Sequence, residues 1–166
     1  MKNFLKICAC FMCIFVFSGC NKAMNDEKAG INTEINSDAT IDYGGKKYEA
    51  KITNAPEGVT TITLTAPENL AGVTFSRNGD KYEVTRKNLV GSFTNEPFAN
   101  GRFPSNFVKI LMSVGDTNNV KVKESKEGET VYEGKIDGED FSLTTDTSGR
   151  ILMVEMPAQE LSVKIG

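Results

Sequence analysis

The chain carries 22 acidic side chains and no histidine, and this balance restricts the chemistry that its residues could perform. Without histidine there is no serine–histidine or cysteine–histidine catalytic pair. The acidic clusters at residues 124–129 and 137–140 could bind calcium weakly, but they lack the alternating ligand spacing of a calcium loop, so we interpret them as solvated turns. We expect no metal and no cofactor.

The run Asp146-Thr147-Ser148-Gly149 is similar to the Asp-Thr-Gly motif of aspartic proteases, but an extra residue separates Thr147 from Gly149. The run also falls where a hairpin is due, because aspartate, serine and glycine are typical turn residues. We therefore predict a turn here rather than a catalytic carboxylate. The chain has no nucleophile elbow, no phosphate-binding loop and no dinucleotide fingerprint, so we expect that it is not an enzyme.

The net charge of −3 argues against a nucleic-acid partner, since binding to phosphates requires a basic surface. Four lysines form a mild basic stripe on the solvent-exposed face of two predicted strands: Lys121, Lys123, Lys126 and Lys135. Glutamates interleave with them, so we interpret the stripe as a solubilising sheet edge.

The four cysteines, Cys8, Cys10, Cys13 and Cys20, all lie in the first 20 residues, so the body of the protein has no disulfide framework and no redox chemistry. Lys2 and Lys6 precede an unbroken apolar run at residues 7–17. A helix of that run spans about 16 Å, which is too short for a bilayer core of about 30 Å but suits a secretory signal.

Ser18 and Gly19 stand directly before Cys20, and this arrangement resembles the bacterial lipobox. The resemblance implies a signal peptide at residues 1–19, cleavage before Cys20 and acyl chains such as palmitate on Cys20. Several acyl chains hold a protein firmly on a bilayer. We therefore predict a lipoprotein anchored to the cell membrane on its extracytoplasmic side. The alternative is an ordinary signal peptide with a coincidental cysteine.

Residues 20–38 are polar and lack a sustained hydrophobic period, which predicts a flexible tether after the lipidated cysteine. Ile31 and Ile35 are four residues apart, so a short helix packed on the domain is the alternative. The remaining residues, 39–166, are predicted to form a single domain.

Apolar and polar residues alternate with period two through most of that domain, which predicts antiparallel strands with one apolar, buried face and one polar, solvent-exposed face. Short turns with glycine or asparagine separate them, as at Gly44-Gly45 and Asp137-Gly138. We count nine or ten strands in a meander. The segment 151–156 is apolar on both faces and is expected to be covered outside or to expose an apolar patch.

One segment has helical spacing instead: residues 104–114 carry apolar side chains on most of a helix surface, with Pro104 at the first turn and Gly115 at the end. The segment 88–103 before it reads as irregular. Ten strands about 4.8 Å apart form a sheet about 48 Å wide, which a helix of about 16 Å cannot cover. Because a large exposed apolar face is abnormal in a soluble domain, the sheet must curl around the helix.

The predicted fold class is therefore mainly β (α+β): a curved antiparallel half-barrel meander wrapping one main helix. Its concave side could bind a lipid or another hydrophobic ligand. The candidate ligand-binding residues are large side chains on the apolar faces of the strands and of the helix: Tyr48, Ile62, Leu64, Phe75, Tyr82, Phe107, Leu111, Tyr132 and Phe141. Alternatively, side chains fill the interior, and the domain is an envelope protein–protein interaction or structural module with an unknown partner.

A lipobox, a short tether and a curved antiparallel sheet interrupted by a helix resemble the LolA/LolB-like lipoprotein-carrier superfamily. The resemblance rests on the order of elements over residues 39–166 and implies a LolA-like fold whose concave side takes acyl chains. Residues 62–75, ITLTAPENLAGVTF, are also similar to a segment of small uncharacterised lipoproteins of Firmicutes. No functional residue of either family can be matched to a position in this chain.

Overall fold

The computed structural model describes residues 30–94, 102–115 and 119–166. They include eleven strands, one α-helix and a 3-10 turn at Pro157–Gln159. The strands are β1 (Ile35–Tyr43), β2 (Lys46–Asn54), β3 (Val59–Ala66), β4 (Thr74–Asn78), β5 (Lys81–Arg86), β6 (Leu89–Phe93), β7 (Val120–Lys126), β8 (Glu129–Ile136), β9 (Glu139–Asp146), β10 (Ile151–Met156) and β11 (Leu161–Ile165). The helix α1 covers Ser105–Val114, between β6 and β7.

All eleven strands join in one antiparallel sheet in the order β6-β5-β4-β3-β2-β1-β11-β10-β9-β8-β7. Every pairing except β1 with β11 joins strands that are consecutive in the chain, as the short turns predicted. The mainly β fold class with one helix is therefore confirmed. Its count is eleven rather than nine or ten, because Leu89–Phe93, predicted to be irregular, pairs with β5.

The alternation of the sequence places one set of side chains on the face that meets α1, which we call the inner face. Ile41 lies opposite both Tyr48 and Val163, and Val163 lies opposite Val154. Ile41, Val154 and Val163 are completely buried. The intervening residues, such as Lys51 and Lys164, are exposed on the outer face, so the core is the layer between the inner face and the helix.

The helix meets strands near both ends of the sheet. Pro104 and Val108 share a cavity wall with residues of β3, β4 and β5, while α1 also packs against β8. In a flat sheet β5 and β8 would lie about 38 Å apart, whereas a helix of 10 residues is about 15 Å long. The sheet must therefore curve around α1. β6 and β7 are its two edges and do not pair with each other, so the sheet is not closed.

The domain begins before residue 39, within the segment predicted as a tether. β1 starts at Ile35, which is buried, and Asn32 forms an isolated bridge with Arg150. Ile31 is half-buried against the core, but the backbone of this segment is extended rather than helical. The reason is pairing: strand β2 continues to Asn54 and offers hydrogen-bonding partners to Ile35 and its neighbours.

The apolar strand β10 has an outer side that is only partly covered. Ile151, Val154 and Met156 are buried, while Leu152 and Met153 are half-exposed. A register irregularity between Ile151 and Met153 accompanies this double-sided apolar pattern. Among the residues that the structure describes, no helix has the length and apolar character needed to cross a membrane. The predicted signal peptide and Cys20 lie outside the described residues.

Candidate functional site

The nine residues predicted to line a ligand site all belong to α1 or to the inner face of the sheet, but they do not surround one open chamber. Six of them are buried in the core, with exposures of 6% or less: Ile62, Leu64, Phe107, Leu111, Tyr132 and Phe141. The other three, Tyr48, Phe75 and Tyr82, are half-buried. Most of the interior is therefore filled by side chains.

A small cavity remains between the first turn of α1 and strands β3–β5, and we call it the helix–sheet cavity. Its volume is about 20 Å³, enough for roughly one water molecule. Its apolar wall consists of Ile62, Phe75, Val84, Pro104 and Val108. Three of the nine predicted residues, Ile62, Phe75 and Tyr82, thus meet at one place.

Six polar residues complete the cavity wall: Thr60, Ser76, Arg77, Tyr82, Glu83 and Ser105. The side chain of Thr60 is satisfied, since its Oγ1 donates to Oδ1 of Asn54 at 2.6 Å. Arg77 Nε donates to the hydroxyl of Tyr82 at 3.3 Å, and the guanidinium carbon lies 5.7 Å from the centre of that ring. The cavity is therefore apolar on most sides, with a positive group at one end.

The cavity lies near the β6 edge of the sheet. Strands β4, β5 and β6 contain no buried residue, whereas β1–β3 and β9–β11 each contain at least two. At the opposite edge, β7 contains no buried residue and β8 only Tyr132. Leu89 and Phe93 on β6 are 74% and 43% exposed. The sequence pattern did not reveal that strands near the two edges are little covered, because β5, β7 and β8 alternate as the central strands do.

Larger grooves exist, but they are open to solvent. One of about 800 Å³ runs alongside β7, β8 and β9 and is lined by several charged side chains. Lys135 pairs there with Asp140 at 2.6 Å and Lys123 with Glu133 at 3.8 Å. Because carboxylates already neutralise these lysines, the groove has the character of a solvated surface, in agreement with the solubilising stripe that the sequence predicted.

The segment at Asp146 forms the predicted turn between β9 and β10. Asp146 Oδ1 accepts hydrogen bonds from the backbone N–H and the hydroxyl of Ser148 and from the backbone N–H of Arg150, while Oδ2 accepts from Arg150 Nε at 3.2 Å. Gly149 has φ +81° and lies so close to Gly30 that a Cβ would collide with its carbonyl oxygen. The carboxylate is thus committed to holding the turn.

The hydroxyl of Ser148, and secondarily the backbone N–H groups of Arg150 and Ser148, hold the pKa of Asp146 below its ordinary value. Replacing Ser148 by alanine is expected to raise that pKa, because a donor that favours the charged carboxylate is lost. Since the pKa is lower in the folded state, the associated stability is present above about pH 4 and is lost as the pH falls through the folded pKa. A carbon-13 NMR titration of Asp146 in both proteins measures the change, and an unchanged pKa in Ser148→Ala would contradict the assignment.

The two acidic clusters proposed as solvated turns occupy the β7–β8 and β8–β9 hairpins. Within residues 30–94, 102–115 and 119–166, no group of three or more aspartate, glutamate, histidine or cysteine side chains is arranged to hold a metal ion. Asp137, in the second hairpin, instead accepts a 2.6 Å ion pair from Lys109 of α1.

No protein-family model and no curated protein matches the chain. Among solved structures, an uncharacterised conserved protein from Thermus thermophilus is similar at a TM-score of 0.49 and 10% identity, with 81% of this chain and 79% of that chain covered. A LolA superfamily protein from Nitrosomonas europaea is similar at a TM-score of 0.39 and 11% identity, with 78% and 68% covered. The second belongs to the superfamily that the order of elements resembles. The resemblance of residues 62–75 to lipoproteins of Firmicutes stays a prediction.

Proposed function

We propose that this protein is a lipid-anchored extracytoplasmic protein, not an enzyme, that binds an apolar ligand between α1 and strands β3–β5. The observation that carries the proposal is the helix–sheet cavity, with its apolar wall beside β4 and β5, two strands that contain no buried residue. The membrane anchor rests on the sequence of residues 1–20 alone.

A ligand must enlarge this cavity, because small-molecule sites usually have volumes of several hundred Å³ and this one has about 20 Å³. The helix side of the cavity is firmly packed, since Pro104, Ser105 and Val108 are all buried. On the sheet side, Phe75, Tyr82 and Val84 are only half-buried. The least costly enlargement is therefore a displacement of these side chains of β4 and β5 away from α1.

The direct test is native mass spectrometry of the polypeptide from Asn21 onward, which lacks the predicted anchor and contains every described residue. We expect an adduct with the mass of a hydrophobic molecule that survives purification, or that appears after incubation with decanol. A clean unliganded mass in several preparations, with no decanol adduct, would overturn the proposal.

A matched pair of variants locates the site. Val84→Trp places a large ring in the cavity wall, whereas Lys81→Trp places the same ring on the exposed outer face of the same strand. We expect Val84→Trp to weaken decanol binding about tenfold or more, because the added volume far exceeds the free space. Lys81→Trp should bind as the unchanged protein does, with circular dichroism confirming that both variants fold. Equal binding by the two variants would place the ligand elsewhere.

Strand β6 favours a second candidate function, the envelope interaction module. It is a sheet edge without charged residues, and its Leu89 and Val90 are 74% and 63% exposed. Such an edge can pair with a strand of another chain. A photo-crosslinking residue at Val90 that traps one protein in cells, with none trapped from Thr53 on the outer face of β2, would favour this function over ligand binding if no adduct is found.

A further inference from the structure

The first turn of α1 carries positive character that no side chain offsets. Pro104 occupies the N-cap position, so the helix has no side-chain cap, and its first turn contains no acidic residue. Helix N-termini attract anions because their N–H groups and the helix dipole point toward them. A helix N-terminus alone does not define a site, but two further features converge on this one.

The first is Ser105, which opens the helix and lines the helix–sheet cavity. Its side chain is 3% exposed, yet its Oγ has no hydrogen-bond partner among the described residues. A buried hydroxyl without a partner is costly, and most such groups in folded proteins are satisfied. An acceptor atom of a ligand in the cavity would satisfy this one.

The second is Arg77, on the opposite wall of the same cavity. In the described part of the chain no carboxylate lies within ion-pair distance of it, and its one side-chain hydrogen bond runs from Nε to Tyr82. Glu83 also belongs to the cavity wall, but it alternates with Tyr82 and Val84 along β5, so its side chain is exposed on the outer face of the sheet. A guanidinium with this freedom matches the two oxygens of a carboxylate or phosphate.

We infer that the ligand is an anionic amphiphile, whose oxyanion lies between Arg77, the Ser105 hydroxyl and the first turn of α1. Its aliphatic tail then follows the apolar wall past Phe75 and Val84. This inference rests on the proposed function, since it names the chemical class of the ligand for that same site. It selects fatty acids or alkyl phosphates over neutral and cationic lipids.

Isothermal titration calorimetry of the polypeptide from Asn21 onward separates the contribution of the anionic headgroup from that of the aliphatic tail. The amphiphilic probes are decanoate, decyl phosphate, decanol and decyltrimethylammonium. Acetate and inorganic phosphate represent the headgroups without a tail. We expect either anionic amphiphile to bind about tenfold or more tightly than decanol, as a charge-assisted hydrogen bond to arginine supplies. If acetate or inorganic phosphate binds as tightly as its decyl counterpart, the site binds free anions, and the inference that the ligand is an amphiphile is overturned.

Variants decide whether Arg77 and Ser105 are responsible. Arg77→Gln should remove the preference for decanoate over decanol, and Arg77→Lys should retain part of that preference. Ser105→Ala should reduce decanoate affinity several-fold. The matched control is Arg86→Gln. Arg86 lies on the inner face of β5, as Arg77 does on β4, and its buried Nε has no partner in the part of the chain that the structure describes, but it does not line the helix–sheet cavity, and its Nη2 donates to the carbonyl oxygen of Asn69 at 2.6 Å.

The outcomes separate the two proposals. If decanol and decanoate bind equally and Arg77→Gln affects neither, the inference of an anionic headgroup is wrong, while the proposal of an apolar ligand site is supported. If no decyl compound binds at all, the proposed function itself fails. If Arg86→Gln rather than Arg77→Gln removes the preference, the oxyanion lies beside Arg86 on β5 rather than beside Arg77 on β4, and the present assignment is overturned.

Discussion

Replacing Phe107 by alanine is expected to lower the free energy of unfolding by about 3–5 kcal/mol, the range for a large buried aromatic residue. Phe107 is completely buried and heads the largest fully buried side chains of the core. It projects from α1 toward a sheet that curves around the helix. Its removal therefore leaves a void at the centre of the domain, which the strands cannot close without losing their hydrogen-bond register. The result would show that α1 is the plug of the sheet.

Met112→Ala is the matched control, because Met112 lies on the same helix and is 53% exposed. It should change stability by less than about 0.5 kcal/mol. Denaturation in urea, followed by circular dichroism on the polypeptide from Asn21 onward, measures both variants. Equal stabilities of Phe107→Ala and Met112→Ala would mean that the helix does not plug the sheet.

Replacing Gly134 by valine is expected to cost about 2–3 kcal/mol by overpacking. Gly134 on β8 lies directly opposite Phe141 on β9, and the phenyl ring of Phe141 lies across it. A Cβ at Gly134 would come within 2.5 Å of the ring Cζ and 3.1 Å of the carbonyl oxygen of Asn119. Phe141 is only 2% exposed, so its ring has little room to move aside.

A double-mutant cycle isolates this contact. In the Phe141→Leu background the same Gly134→Val change should cost clearly less, because the obstructing ring is gone, and the coupling energy should exceed about 0.5 kcal/mol. Gly91→Val is the control, since a Cβ there would meet the ring of Phe93 at 3.3 Å, and Phe93 is 43% exposed and can turn away. Additive effects of the Gly134 and Phe141 changes would exclude ring contact as the cause.

Most turns, strands and the helix could be predicted from the sequence because each depends on residues that are close together in the chain. Gly44-Gly45 and Asp137-Gly138 supply the backbone conformations that short hairpins need, and both turns formed. The helix covers Ser105–Val114, as its apolar spacing after Pro104 predicted. The curvature of the sheet followed from area alone, because one short helix cannot cover so many strands in a plane.

The segments whose structure differs from the prediction depend on pairing with other segments. Residues 89–93, LVGSF, show no alternation, but they form strand β6 because they pair with β5. Ile35 joined β1 because β2 extends far enough to pair with it. Propensity within a short window does not contain this information, since it arises from pairing.

The sequence by itself determined most of the strands, the turns, the helix that fills the curved sheet and the motif that predicts lipidation at Cys20. Each is encoded in side-chain periods or in a few adjacent residues. Only the tertiary structure decided that the interior is nearly filled, and that Arg77 and Ser105 face the same cavity. Those two residues lie on different elements, so their meeting depends on how far the sheet curls and where the helix settles within it. Curvature and helix position result from packing the whole core at once, which no local pattern specifies.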